Sequence, residues 1–163
     1  MKKVLIIVCF IMLLCAPFIF KHDMNLNYSK LPSLNIMLPD SSTIYNTQNI
    51  SVEKPTILIY FSPDCDHCQE QTRAIIKNIN YLRNAEILLL SNSSIFELNN
   101  FIHTYQLNHY KNIIIGNDYN YSFFKFFNIK SFPYVVVYNN KKELVKLYKG
   151  EIGIDKIIEA INS

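Results

Sequence analysis

Cys65 and Cys68 are separated by Asp66 and His67, and the four residues stand where a strand-forming run meets a helix-forming one. The strand is the apolar run Thr56–Phe61, and the helical pattern starts at about Cys65 and continues to Leu82. Two thiols one helical turn apart can close a disulfide. The first lies at the helix N-terminus, where the macrodipole and free N–H groups favour a thiolate. A C-x-x-C pair at such a junction is a recurrent device for thiol–disulfide exchange. A purely structural bridge is disfavoured, because closing so short a loop gains little chain entropy. His67, as a cation or donor, stabilises the thiolate and makes the pair more oxidising. Asp64 and Asp66 act in the opposite sense, since nearby negative charge disfavours a thiolate.

Cysteine usage narrows the setting. The chain has 163 residues, half of them apolar, with four cysteines. Cys9 and Cys15 fall within the apolar run Val4–Phe20, which follows Met1-Lys2-Lys3. Seventeen residues span about 26 Å as a helix, against about 30 Å of hydrocarbon. Residues 1–20 are therefore expected to be a membrane anchor with the N-terminus inside, or else a cleaved signal peptide. Lipid attachment at Cys15 is a third option, although Leu14 is large for such a site. Each option puts the remainder outside the cytoplasm, facing the periplasm or exterior, where disulfides persist. Residues 21–30 read as a tether and 31–163 as one domain, whose only thiols are Cys65 and Cys68. The net charge of +3 includes Lys2 and Lys3, and no basic patch argues for nucleic acid.

The elements that must position the pair alternate along the domain. Leu31–Leu38 and Thr43–Val52 read as short strands around the turn Pro39-Asp40-Ser41-Ser42. Glu86–Leu90 is a buried strand, Ile95–Leu107 a helix with a Ser or Asn cap, and Lys111–Ile115 a third apolar strand, ended by the turn cluster Gly116-Asn117-Asp118. Tyr121–Phe127 is a short aromatic helix. Tyr134–Tyr138 and Glu143–Tyr148 form a hairpin across Asn139-Asn140, and Ile154–Ile161 is a closing helix. On the helix after the pair, Cys68, Thr72, Ile75, Ile76, Ile79 and Leu82 form one stripe. The pattern is that of an α/β sandwich around a mixed sheet.

Phe61-Ser62-Pro63-Asp64-Cys65-Asp66-His67-Cys68 resembles the active-site segment of thioredoxin-fold oxidoreductases. It is most similar to the membrane-tethered or periplasmic redoxins that include cytochrome-c-maturation thioredoxins. Ser131-Phe132-Pro133-Tyr134 matches that family's cis-proline position, and Gly150 matches a glycine it often has. The resemblance covers residues 31–163. It implies a thioredoxin-like three-layer sandwich with a central mixed sheet and an N-terminal β-hairpin extension. It also implies Cys65 as nucleophile and Cys68 as resolving thiol, with a substrate groove beside a cis Pro133 where the Phe132 backbone pairs with substrate. No bound cofactor and no metal are needed. The partners expected are protein thiols or disulfides and an upstream redox protein. The chain departs from the family at Ile59, Gln71 and Arg73, where members often have a buried acid, Glu and Pro. The usual proton acceptor for Cys68 is thus missing, and Glu70, its nearest substitute, falls on a solvated face.

Two rival readings compete. A peroxidase needs a hydroxyl three residues before the cysteine, which Ser62 supplies. It also needs a peroxide-polarising arginine, and only Arg73 and Arg83 exist. A copper chaperone would use Cys65, Cys68 and a distant histidine such as His103 or His109.

Overall fold

The computed structural model describes residues 28–163, so the expected anchor and nearly all of the tether lie outside the described residues. No helix among the described residues is long and apolar enough to cross a membrane.

Three apolar runs form the parallel centre of the sheet: β3 (Thr56–Tyr60), β4 (Glu86–Ser91) and β5 (Ile113–Asn117). β6 (Tyr134–Tyr138) runs antiparallel beside β3, and β7 (Leu144–Lys149) antiparallel beside β6. At the other edge β1 (Asn35–Met37) joins β5 antiparallel and carries β2 (Ile44–Asn46), the expected N-terminal hairpin. The order among the described residues is β2-β1-β5-β4-β3-β6-β7. Every residue of β3 and β6 is buried. That burial on both faces explains why these strands read as continuous apolar runs without alternation.

Helices cover both faces. Ile57, Ile59 and Phe61 of the β3 segment share a core with Cys68 and Ile75 of α1 (Asp66–Lys77), Leu98 and Phe101 of α3 (Ile95–Tyr105), and Ile157 of α5 (Ile154–Ile161). Alternation sends Tyr60 to the opposite face. There its ring meets Phe124 of α4 (Ser122–Phe126) at 6.0 Å. The result is three layers.

Several boundaries differ from the sequence expectation. The helix expected to run unbroken from Cys65 to Leu82 is divided into α1 and α2 (Ile79–Leu82) at Asn78. The Asn78 amide donates to the Ala74 carbonyl at 2.9 Å, beside the backbone bond from its own N–H to the same oxygen. Asn competes with helix geometry in this way. α3 ends two residues early because Gln106 adopts a left-handed conformation, φ 52°. β5 starts and stops two residues late. It includes Gly116, which the sequence reading took as a stop signal; a Cβ there would lie 2.4 Å from Ile36 Cδ1, so the glycine admits β1 against β5.

Candidate functional site

The cysteine pair sits at the C-terminal end of β3. The chain leaves the sheet after Phe61, whose N–H still donates to the Leu90 carbonyl, and turns through Ser62–Asp64. This loop is pinned twice: the Cys65 N–H donates to the Ser62 carbonyl at 3.2 Å, and Gln69 Nε2 to the Pro63 carbonyl at 2.9 Å. Cys65 then becomes the N-cap of α1, with extended backbone and no side-chain capping bond. Its carbonyl accepts from the Cys68 and Gln69 N–H groups, so the sulfur is carried at the rim of the helix.

The two sulfurs occupy different environments. Both are free thiols; Cys65 is half-buried and Cys68 is 1 % exposed. Burial, followed by a hydrogen bond to Cys65, pushes the Cys68 thiol up to about 12, with the Ser62 backbone acting weakly against it. Cys68 therefore holds its proton at neutral pH, and Cys65 is the sulfur that solvent can reach.

The remaining residues singled out in the sequence fall around the pair. The Phe132–Pro133 bond is cis. The Pro133 carbonyl accepts from the Gly150 N–H at 2.8 Å, and Gly150 has φ +90°, a conformation that favours glycine. The hairpin thus closes onto the proline loop. Phe132 stacks on Tyr60 at 5.9 Å and 19°. His67 is 73 % exposed, and its Nδ1 lies 2.8 Å from the Glu151 carboxylate. His67, Phe132, Glu151, Ile152 and Ile154 line one open cleft of about 460 Å³. A second cleft of about 260 Å³ lies on the other flank of the loop, between Pro63, Asp64 and α3.

Asp118 and Glu151 have roles at the site that residue order does not signal, and Gln71, noted above only as a departure from the family, has a third. Gln71 is buried at 1 % exposure and accepts from the Ile152 N–H at 2.8 Å through Oε1, while its Nε2 has no partner among the described residues. Its place on the α1 stripe between Cys68 and Ile75 was the available signal. Asp118, fully buried, receives the Tyr60 hydroxyl at 3.1 Å and the Ser122 and Phe124 N–H groups, so it ties α4 to the residue beneath Phe132. Glu151 is reached only by folding. Glu70 lies on a solvated face, as expected: it is exposed and ion-paired with Arg73 at 2.7 Å, so it offers no proton path to Cys68.

The rival readings gain nothing from this geometry. Arg73 is engaged by Glu70 and the Tyr105 hydroxyl. His103 and His109 are exposed on α3 and the turn after it. Among the described residues no group of three His, Cys, Asp or Glu side chains could hold a metal ion, so the copper reading lacks its third ligand.

No protein-family model and no curated protein matches the sequence. The fold, by contrast, is that of thioredoxin. A secreted Mycobacterium tuberculosis disulfide oxidoreductase, homologous to Escherichia coli DsbE, superposes with a TM-score of 0.67 at 13 % identity over 80 % of this chain and 95 % of its own. An exposed lipoprotein thioredoxin of Streptococcus pneumoniae gives 0.62 at 16 % identity over 80 % and 98 %. A reduced 2-Cys peroxiredoxin of Plasmodium vivax gives 0.64 at 19 % over 83 % and 94 %. The fold is therefore common to exchange and peroxidase chemistry, and the choice between them rests on the site residues.

Proposed function

We propose that this chain is a thiol–disulfide oxidoreductase that exchanges disulfides with protein substrates through Cys65 and Cys68. One observation carries the reading: a reachable Cys65 at a helix start is paired with a buried Cys68 whose thiol keeps its proton. That asymmetry divides the two roles that exchange requires.

In the reducing direction, the Cys65 sulfur attacks a substrate disulfide. A Cys65–substrate S–S bond forms, and one substrate sulfur leaves as thiolate and takes up a proton. Cys68 then gives up its proton and attacks the Cys65 sulfur. The second substrate thiol is released, the Cys65–Cys68 disulfide forms, and two electrons have passed to the substrate. The oxidising direction is the same sequence reversed. The cis Pro133 loop and the Phe132 backbone form the edge along which an extended substrate segment lies, and His67 modulates the thiolate. No cofactor enters any step. The apolar N-terminal segment supports a membrane-anchored or secreted domain outside the cytoplasm, with an upstream redox partner; the secreted and exposed neighbours agree with that placement.

The test is exchange with a disulfide-bonded test protein, followed by gel mobility after thiol alkylation. Cys65→Ser is expected to abolish exchange, and Cys68→Ser to accumulate a mixed disulfide that dithiothreitol releases. Full activity in Cys65→Ser overturns the proposal.

A further inference from the structure

The His67 imidazole, within the C-x-x-C segment, has a partner far along the chain. His67 and Gln71 are four residues apart on α1 and therefore share one face. That face meets two consecutive residues of the β7–α5 loop: His67 pairs with the Glu151 carboxylate and Gln71 accepts from the Ile152 N–H, each at 2.8 Å. Gln71 is buried, so its bond fixes the loop from beneath. The Gly150 N–H holds the other end to Pro133. Glu151 is thus delivered to His67 by two anchors that flank it.

The charges around His67 are unequal. Asp64 and Asp66 lie on its own segment, and Glu151 faces it from the loop; Glu70 is taken up by Arg73. A carboxylate held 2.8 Å from His67 Nδ1 is negative charge fixed beside the C-x-x-C segment and occupies that ring nitrogen, and nearby negative charge disfavours a Cys65 thiolate. We propose that Glu151, acting through His67, sets the redox poise of the Cys65–Cys68 pair and makes it more reducing than the C-x-H-C pattern implies. Glu151 is a positioning residue, and its effect rests on the exchange reading above.

The reaction to measure is oxidised protein plus two glutathione giving dithiol protein plus glutathione disulfide. Removing the carboxylate stabilises the reduced side. Glu151→Gln is expected to shift the exchange constant about threefold towards the dithiol, the size of an exposed ion pair, or about 14 mV at about 30 mV per tenfold. In a His67→Gln background the same substitution is expected to shift nothing. Asp155→Asn, which removes a neighbouring exposed acid, serves as the charge control and is expected to match wild type. The proposal is overturned if Glu151→Gln coincides with wild type, or if its shift persists without His67. A wild-type protein that does not equilibrate with glutathione defeats the exchange reading itself. One that equilibrates while Glu151→Gln changes nothing defeats only this inference.

Discussion

Tyr60→Phe removes a single hydroxyl that links the residue beneath Phe132 to Asp118 and α4. The hydroxyl donates to Asp118 Oδ2 at 3.1 Å, and Asp118 is fully buried. The substitution keeps the ring, and with it the stacking on Phe132 and the contact with Phe124. The Asp118 carboxyl keeps the Ser122 and Phe124 N–H donors, so it is weakened but not orphaned. The loss expected is therefore about 1–2 kcal/mol, the range for one buried hydrogen bond to a retained acceptor. A domain of about 130 residues has an unfolding entropy near 0.28 kcal/mol/K at the midpoint, so the melting temperature falls by about 4–7 °C. Burial, then Asp118, raises the Tyr60 hydroxyl well above the usual tyrosine range. A raised folded-state value gives stability that is complete below the unfolded value of 10.0 and lost as pH rises beyond it. The gap between wild type and Tyr60→Phe should therefore be flat from pH 6 to 9 and narrow above pH 10. Urea melts with a common m-value read both quantities. A Tyr60→Phe protein within about 0.3 kcal/mol of wild type at pH 7, below the weakest hydrogen-bond contribution, refutes the linkage.

Three further outcomes follow from the same contacts. Iodoacetamide at pH 8 should label Cys65 in the native reduced protein and Cys68 only after unfolding, because burial both closes Cys68 to the reagent and holds its thiol up at about 12; peptide mass mapping reads the two sites separately. Gly150→Ala should cost about 1–2 kcal/mol through its φ of +90° alone, since nothing lies within 4 Å of the added carbon; Gly150→Ala should also raise KM for a protein substrate by loosening Pro133. Gly116→Ala should cost about 1–3 kcal/mol by driving a Cβ into Ile36, and a double-mutant cycle with Ile36→Val should recover part of it.

Much of this arrangement was legible from residue order. β6 and α5 coincide with the runs Tyr134–Tyr138 and Ile154–Ile161, because an apolar run bounded by turn residues and a clean helical stripe leave few alternatives. The pair at 65–68 and His67 stand out from a local pattern, whereas Phe132, Pro133 and Gly150 stand out only through the resemblance to thioredoxin-fold oxidoreductases. What escaped was non-local. Gln71 meets Ile152 across 81 residues and His67 meets Glu151 across 84, and no periodicity records such a meeting. Asp118 read as part of a turn because the Gly116-Asn117-Asp118 cluster has turn composition; its role depends on Tyr60 arriving from β3, two strands away in the sheet. The break at Asn78 was hidden for a different reason. Asn is a tolerated helix residue whose side chain ends the helix only when it captures a carbonyl, as it does at Ala74.

The most direct measurement of the central claim is a glutathione redox titration of the wild-type chain, with Cys65 and Cys68 counted by alkylation and mass spectrometry at each ratio. Both cysteines are expected to change state together in one two-electron transition, and the transition to disappear in Cys65→Ser. Two cysteines that oxidise independently, or a pair that stays reduced at every ratio, would contradict it.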